Sequence, residues 1–295
     1  MKNIIQNIFL LLGLSLMVII VSCDKIEGPY TENEEVIPLQ CPVPEFPALG
    51  IVYRKVLVED FTGHKCGYCP RAHVKLHDLI STYGDDTIVS YAMHVSDFYA
   101  SPDVNGLFTY DFRTDEGTFV DQAFHISDLG LPQGMINRIN YNGSVVVPWN
   151  SWETVVQSVI NTSPKIGMQI INNYNSTDSS FCTHVKLTFL ENITEPLLFY
   201  CCITEDSIIK PQKSYDVTPN EIPSYNHMHV YRDGLNGNLG VTIDPTKTDK
   251  DSSIVKSYFY NLKQKDFKHK NLKIVAFVYK SSNNEVLQAE DEKVK

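Results

Sequence analysis

Apolar residues first cluster in an uncharged run from Ile8 to Val21, behind a single cation at Lys2. This is short of the roughly 20 residues a spanning helix needs, and the layout is that of a secretory signal over residues 1–22. The pattern then lapses. From Asp24 to Gly50, Pro29, Pro38, Pro42, Pro44 and Pro47 stand among Glu27, Glu32, Glu34 and Glu35, a composition that reads as a tether over residues 23–50. Regular patterning begins at Lys55 to Phe61, apolar except for its lysine and for Glu59 and Asp60, which predicts a strand buried on both faces. Ala72, Leu76, Leu79, Ile80 and Tyr83 recur at helical spacing and stop at Gly84. Thr87 to Val95 and Met135 to Ile139 read as further strands. Asn142-Gly143 supplies a type I′ turn into Ser144 to Val147. A last helix presents Trp152, Val155, Val156, Val159 and Ile160, with Asn150 as its cap and Glu153 three residues on. The order is β-α-β, an insertion over 96–130, then β-β-α, giving an α/β unit over 51–163.

After Ser163-Pro164 the period changes from helical to alternating. Ile166–Asn172, Thr183–Glu191, Leu197–Ile203, His227–Arg232, Ile254–Tyr260 and Leu272–Tyr279 predict short strands with no helix between them. That pattern argues for an all-β, antiparallel, immunoglobulin-like sandwich over 164–295. A composition of 43% hydrophobic and 20% charged residues supports packed cores. The net charge of −10 would repel a polyanion, so nucleic acid is not an expected partner.

The candidate chemistry lies in Cys66-Gly67-Tyr68-Cys69-Pro70, between the first strand and the first helix. Unpaired N–H groups and the positive end of the helix dipole favour thiolate there, which makes Cys66 the expected nucleophile. Cys69, one turn deeper, would resolve a mixed disulfide by attacking Cys66. Cys66, Cys69, His73 and His77 also have the composition of a zinc site. Redox chemistry accounts for the strand-to-helix setting without a metal, so none is expected. His73 and His77 then read as solvated helix residues, and His227 and His229 as structural residues sharing one strand face.

Strand, CxxC and amphipathic helix together resemble the thioredoxin fold. The resemblance implies that Asp60, six residues before Cys66, is the buried acid that moves protons for the resolving cysteine. It also requires a cis-proline facing the CxxC. Leu131-Pro132 is the candidate, with Pro132 and the Leu131 backbone holding an extended substrate segment. Gly67-Tyr68 resembles the active site of periplasmic disulfide isomerases, and Lys65 stands where the family commonly has tryptophan. These three residues would shape the substrate-facing surface, and the insertion would flank it.

Ile20-Val21-Ser22-Cys23 resembles the bacterial lipobox, which implies cleavage before Cys23 and a diacylglycerol on its thiol. Six cysteines then remain. If Cys66 and Cys69 pair, Cys41, Cys182, Cys201 and Cys202 are left with three possible connectivities. Adjacent Cys201 and Cys202 should point to opposite faces of a strand, and Cys182 with one of them is the preferred pairing, with unpaired buried thiols as the alternative. Cys23 to Tyr30, Phe61-Thr62-Gly63-His64, Leu131-Pro132-Gln133-Gly134, Asn137-Arg138, Phe277-Val278-Tyr279 and Val286-Leu287-Gln288 are similar to a Bacteroidetes family of outer-membrane-protein-related lipoproteins. The resemblance implies a lipid-anchored envelope protein, and the CxxC makes a thiol–disulfide oxidoreductase needing no dissociable cofactor the expected activity. The expected partners are cysteine-containing envelope proteins and a thiol or disulfide donor. The alternative expectation is a surface binding or adhesin-type lipoprotein that uses the thioredoxin fold as a scaffold.

Overall fold

The computed structural model describes residues 41–295. The expected signal over 1–22, the expected lipidation site Cys23 and the first part of the expected tether lie outside the described residues.

Strand β1 (Val56–Thr62) is buried along its whole length. It leads through a turn into helix α1 (Cys69–Tyr83), which has Pro70 in its first turn and is closed by Gly84 at φ 91°, whose N–H donates to the Ile80 carbonyl. Strand β2 (Ile88–His94) runs parallel to β1. A short helix α2 (Asp97–Ala100) and helix α3 (Asp115–Phe124) occupy the insertion. Next come strands β3 (Gln133–Ile136) and β4 (Val147–Pro148), joined through Asn142 and Gly143, both at positive φ as the turn requires. Helix α4 (Trp152–Val159) buries Trp152, Val155, Val156 and Val159, the expected face. Asn150 is not its cap. A 3-10 turn over Trp149–Ser151 intervenes and takes Asn150 inside it.

The second stretch contributes β5 (Ile166–Asn175), β6 (Ser180–Phe189), β7 (Leu197–Glu205), β8 (Ile208–Lys213), β9 (Glu221–His227), β10 (Val230–Gly234), β11 (Val241–Thr242), β12 (Ser253–Asn261), β13 (Leu272–Lys280) and β14 (Val286–Lys293). Nine strands form one sheet in the order β14-β13-β7-β10-β2-β1-β3-β4, with β11 also on β7. The β2-β1-β3-β4 part, with helices on both faces, is the thioredoxin-like region. β14, β13 and β7 continue the same sheet through β10, which meets β2 in parallel at Val230 and Ala92. Covering the β2 edge in this way removes an exposed row of backbone donors and acceptors.

Because side chains alternate along a strand, each face of this sheet builds its own core. Val56 and Val58 face α1 and α4, packing with Leu76, Leu79, Trp152 and Val156. Leu57 and Phe61 face the opposite way, toward α3 and the residues of β13 and β14 that include Phe277 and Ala289. A third core lies between β12-β6-β5 and the β7-β13-β14 end, which makes the C-terminal region a sandwich.

The same alternation corrects the expected cysteine pairing. Cys182 is bonded to Cys41, with Cα atoms 5.5 Å apart, and Cys201 and Cys202 are free and buried. Phe181 and Val185 point from β6 into the sandwich core, so Cys182 points away from it, while Cys201 points inward and Cys202 lies on the far side of the large sheet. The bond to Cys41, with Gln169 Nε2 donating to the Pro47 carbonyl, holds residues 41–50 against the β5-β6 surface.

Candidate functional site

The turn Thr62-Gly63-His64-Lys65 carries the chain from the end of β1 to Cys66, three residues before α1 begins. Cys66 and Cys69 are bonded to each other, with Cα atoms 5.4 Å apart. Both are enclosed, at 2% and 0% exposure. Leu131 and Pro132 are joined by a cis peptide bond, and Leu131 lies in the same core cluster as the two cysteines.

Asp60 is 0% exposed, and neither of its carboxylate oxygens has a hydrogen-bond partner. Burial pushes its carboxyl up to about 8. Its neighbour Glu59 faces the other way and is paired with Arg138 at 2.7 and 2.8 Å, with the Tyr91 hydroxyl also donating to it. His73, expected to be solvated, instead sits behind the motif. Its Nε2 is 3.5 Å from Asp60 Oδ2 and 3.0 Å from Thr62 Oγ1, and its Nδ1 is 2.7 Å from the Tyr225 hydroxyl. Burial first, then the proximity of His227 and His229, lowers its pKa to about 3, which keeps the ring neutral. His77, one turn on, is 81% exposed, so the four residues of the zinc alternative are not gathered. His227 and His229 do not share a strand face either. His227 ends β9, whereas His229 sits at φ 57° beside Asp206, ahead of the strand that starts at Val230.

Lys65 turns away from the cysteines into the insertion, with its Nζ 3.1 Å from both Ser101 Oγ and Asp103 Oδ1 and its N–H donating to the Tyr99 carbonyl. Tyr68 is half exposed and meets the ring of Tyr215 edge-on at 4.9 Å. A Cβ on Gly67 would lie 2.5 Å from that same ring, so a side chain there would displace Tyr215.

Tyr215 belongs to a segment that sequence reasoning missed entirely. β8 and β9 form a separate two-stranded hairpin, and it lies over the CxxC loop. Gln212 Nε2 donates to the carbonyls of Gly63 and Cys66 at 3.2 and 3.0 Å. The N–H groups of Lys213 and Tyr215 donate to the carbonyls of His64 and Gly67. Arg71, on α1, makes a bidentate pair with Asp216 at 2.9 and 2.6 Å. The available signal was weak: Tyr225 and His227 alternate as strand residues do, but Pro211 and Pro223 interrupt both runs.

The model of the outer membrane protein Omp28 family matches residues 120–295, more than half of the chain. This chain belongs to the Omp28 family. The matched stretch leaves out Cys66 and Cys69 and includes Leu131, Pro132 and the whole hairpin. Among solved structures, HBP35 of Porphyromonas gingivalis is similar over 83% of this chain and 76% of its own, at 15% identity and a TM-score of 0.58, a likeness of fold. A domain of the outer membrane lipoprotein Omp28 from the same organism is 22% identical over 45% of this chain and 91% of its own, at a TM-score of 0.31. No curated protein matches the chain. This Omp28-family chain is therefore an envelope-associated protein with a thioredoxin-like region that holds a CxxC disulfide and an immunoglobulin-like β region. No helix among the described residues is long and apolar enough to cross a membrane.

Proposed function

We propose that this Omp28-family chain is a thiol–disulfide oxidoreductase of the cell envelope, held to the membrane through lipid on Cys23 and acting on cysteines of envelope proteins. The observation that carries the reading is the Cys66–Cys69 disulfide at a strand-to-helix junction, in one cluster with the residue of the cis bond at Leu131-Pro132. In the reducing direction, the Cys66 thiolate attacks one sulfur of a substrate disulfide, and the other sulfur leaves as thiolate. Cys69 then attacks Cys66 Sγ as its proton passes, with Asp60 serving the transfer, to the departing substrate sulfur, which closes the Cys66–Cys69 bond and releases the second substrate thiol. Two electrons pass to the substrate. The oxidised form runs the same steps backward on a substrate dithiol, and an envelope thiol or disulfide donor resets the pair. Pro132 and the Leu131 backbone hold the substrate segment, and Gly67 and Tyr68 border it, while Lys65 is engaged by Ser101 and Asp103 in the insertion.

Replacing Cys66 with Ser is expected to abolish insulin reduction by the full chain, since no mixed disulfide can form. Turnover equal to that of the natural sequence overturns the reading. The enclosure of Cys66 favours a second reading, in which the bond is a static staple and the β region binds a partner at the cell surface. In that case, changing both cysteines leaves partner capture intact.

A further inference from the structure

We propose that the β8–β9 hairpin is a gate over the Cys66–Cys69 disulfide, closed by Gln212 and the Arg71–Asp216 pair, and that it lifts to admit an extended polypeptide segment as substrate. The proposal rests on the oxidoreductase reading, because a cysteine as enclosed as Cys66, at 2% exposure, is out of reach of another protein's cysteine.

The hairpin is built to move as a unit. It shares no ladder with the nine-stranded sheet, and a two-stranded hairpin alone is marginally stable. Its feet, Ser207 and His229, both sit at positive φ, where the chain leaves and rejoins the main sheet. At the base, Ile208 packs with Val230 and Phe112 and forms an anchored end. Toward the tip, β9 is largely exposed, from Glu221 to Asn226. A segment with few buried apolar contacts opens locally at a small fraction of the global unfolding free energy.

Aromatic contacts hold part of it, Tyr215 against Tyr68, Tyr225 on His73 and His227 against Phe112, but the bonds to the motif's own backbone are polar. Gln212 donates to two carbonyls of the CxxC loop, Lys213 and Tyr215 each donate a backbone N–H to another, and Arg71 grips Asp216 at the exposed rim. When the hairpin lifts, the carbonyls of Gly63, His64, Cys66 and Gly67 lose these donors. An incoming extended chain carries backbone N–H groups that can take the vacated places, as in strand addition. The hairpin therefore occupies the substrate's position with substrate-like bonds, and it selects for segments extended enough to replace them.

The test is the rate at which dithiothreitol opens the Cys66–Cys69 bond in the full chain, read by alkylation and mass spectrometry. The natural sequence is compared with Gln212→Ala combined with Arg71→Ala, which removes the clamp and the latch and leaves the exchange machinery in place. Reduction is expected to quicken about tenfold, the scale of one lost hydrogen-bond and ion-pair set. Equal rates overturn the gate. Should the double variant fail to fold, amide exchange on the natural sequence decides. The N–H groups of Lys213 and Tyr215 are expected to exchange together and well ahead of those in Leu197–Glu205, and exchange in step with that strand overturns the proposal. Insulin turnover separates the two claims. Faster reduction with no turnover keeps the gate and removes the activity, whereas turnover unchanged in the double variant, with equal reduction rates, keeps the activity and removes the gate.

Discussion

Glu59 and Asp60 are neighbours on one strand with opposite fates. Glu59 has a guanidinium and a phenol for partners, whereas Asp60 has no hydrogen bond, with neutral His73 3.5 Å away. Folded, Asp60 holds its proton up to about 8, against 3.8 for the ordinary carboxyl. Between those values the folded state binds the extra proton, so its contribution to stability is full below the lower value and is lost as pH rises through the window. The slope is up to ~1.4 kcal/mol per pH unit for one fully buried group. Asp60→Asn removes the ionisation and is expected to stabilise the chain at neutral pH while flattening that slope. Urea unfolding across the window checks this, and an unchanged slope contradicts the assignment.

Among elements, α1 and α4 clamp the face of the sheet on which Asp60 lies, and Trp152 is the largest side chain in that layer, packed directly on Gly134. Trp152→Ala is expected to cost ~3–5 kcal/mol, measured by urea unfolding, as truncation of a buried aromatic does. These helices were legible in the sequence because their apolar residues recur at helical spacing, and β1, β2 and the Asn142-Gly143 turn were legible for equally local reasons. The hairpin was not. Its prolines break the strand pattern, its faces are half exposed, and its partners Cys66 and Gln212 are 146 residues apart. No local period encodes such a contact. The Cys41–Cys182 bond, with a separation of 141, escaped for the same reason. His73 escaped differently, because a polar residue at a helical position reads as solvated until the element that covers it is known.

At the scale of the whole molecule, the sequence pattern divides near Ser163-Pro164, yet the nine-stranded sheet draws strands from both stretches. The β region supplies β10 to the open edge of β2, the β13 and β14 residues behind Leu57 and Phe61, and the hairpin over the cysteines. The candidate site is therefore assembled from both stretches, and in the proposed gate the region with no catalytic motif of its own controls access to the one that has it. The proposed oxidoreductase requires that the enclosed disulfide be an exchanging pair. Its most direct test is the reduction potential of Cys66–Cys69, equilibrated in glutathione buffers and read by alkylation and mass spectrometry. A value between about −120 and −270 mV, the span of dedicated exchange proteins, is the predicted result, and a value below about −300 mV, that of a structural bond, contradicts it.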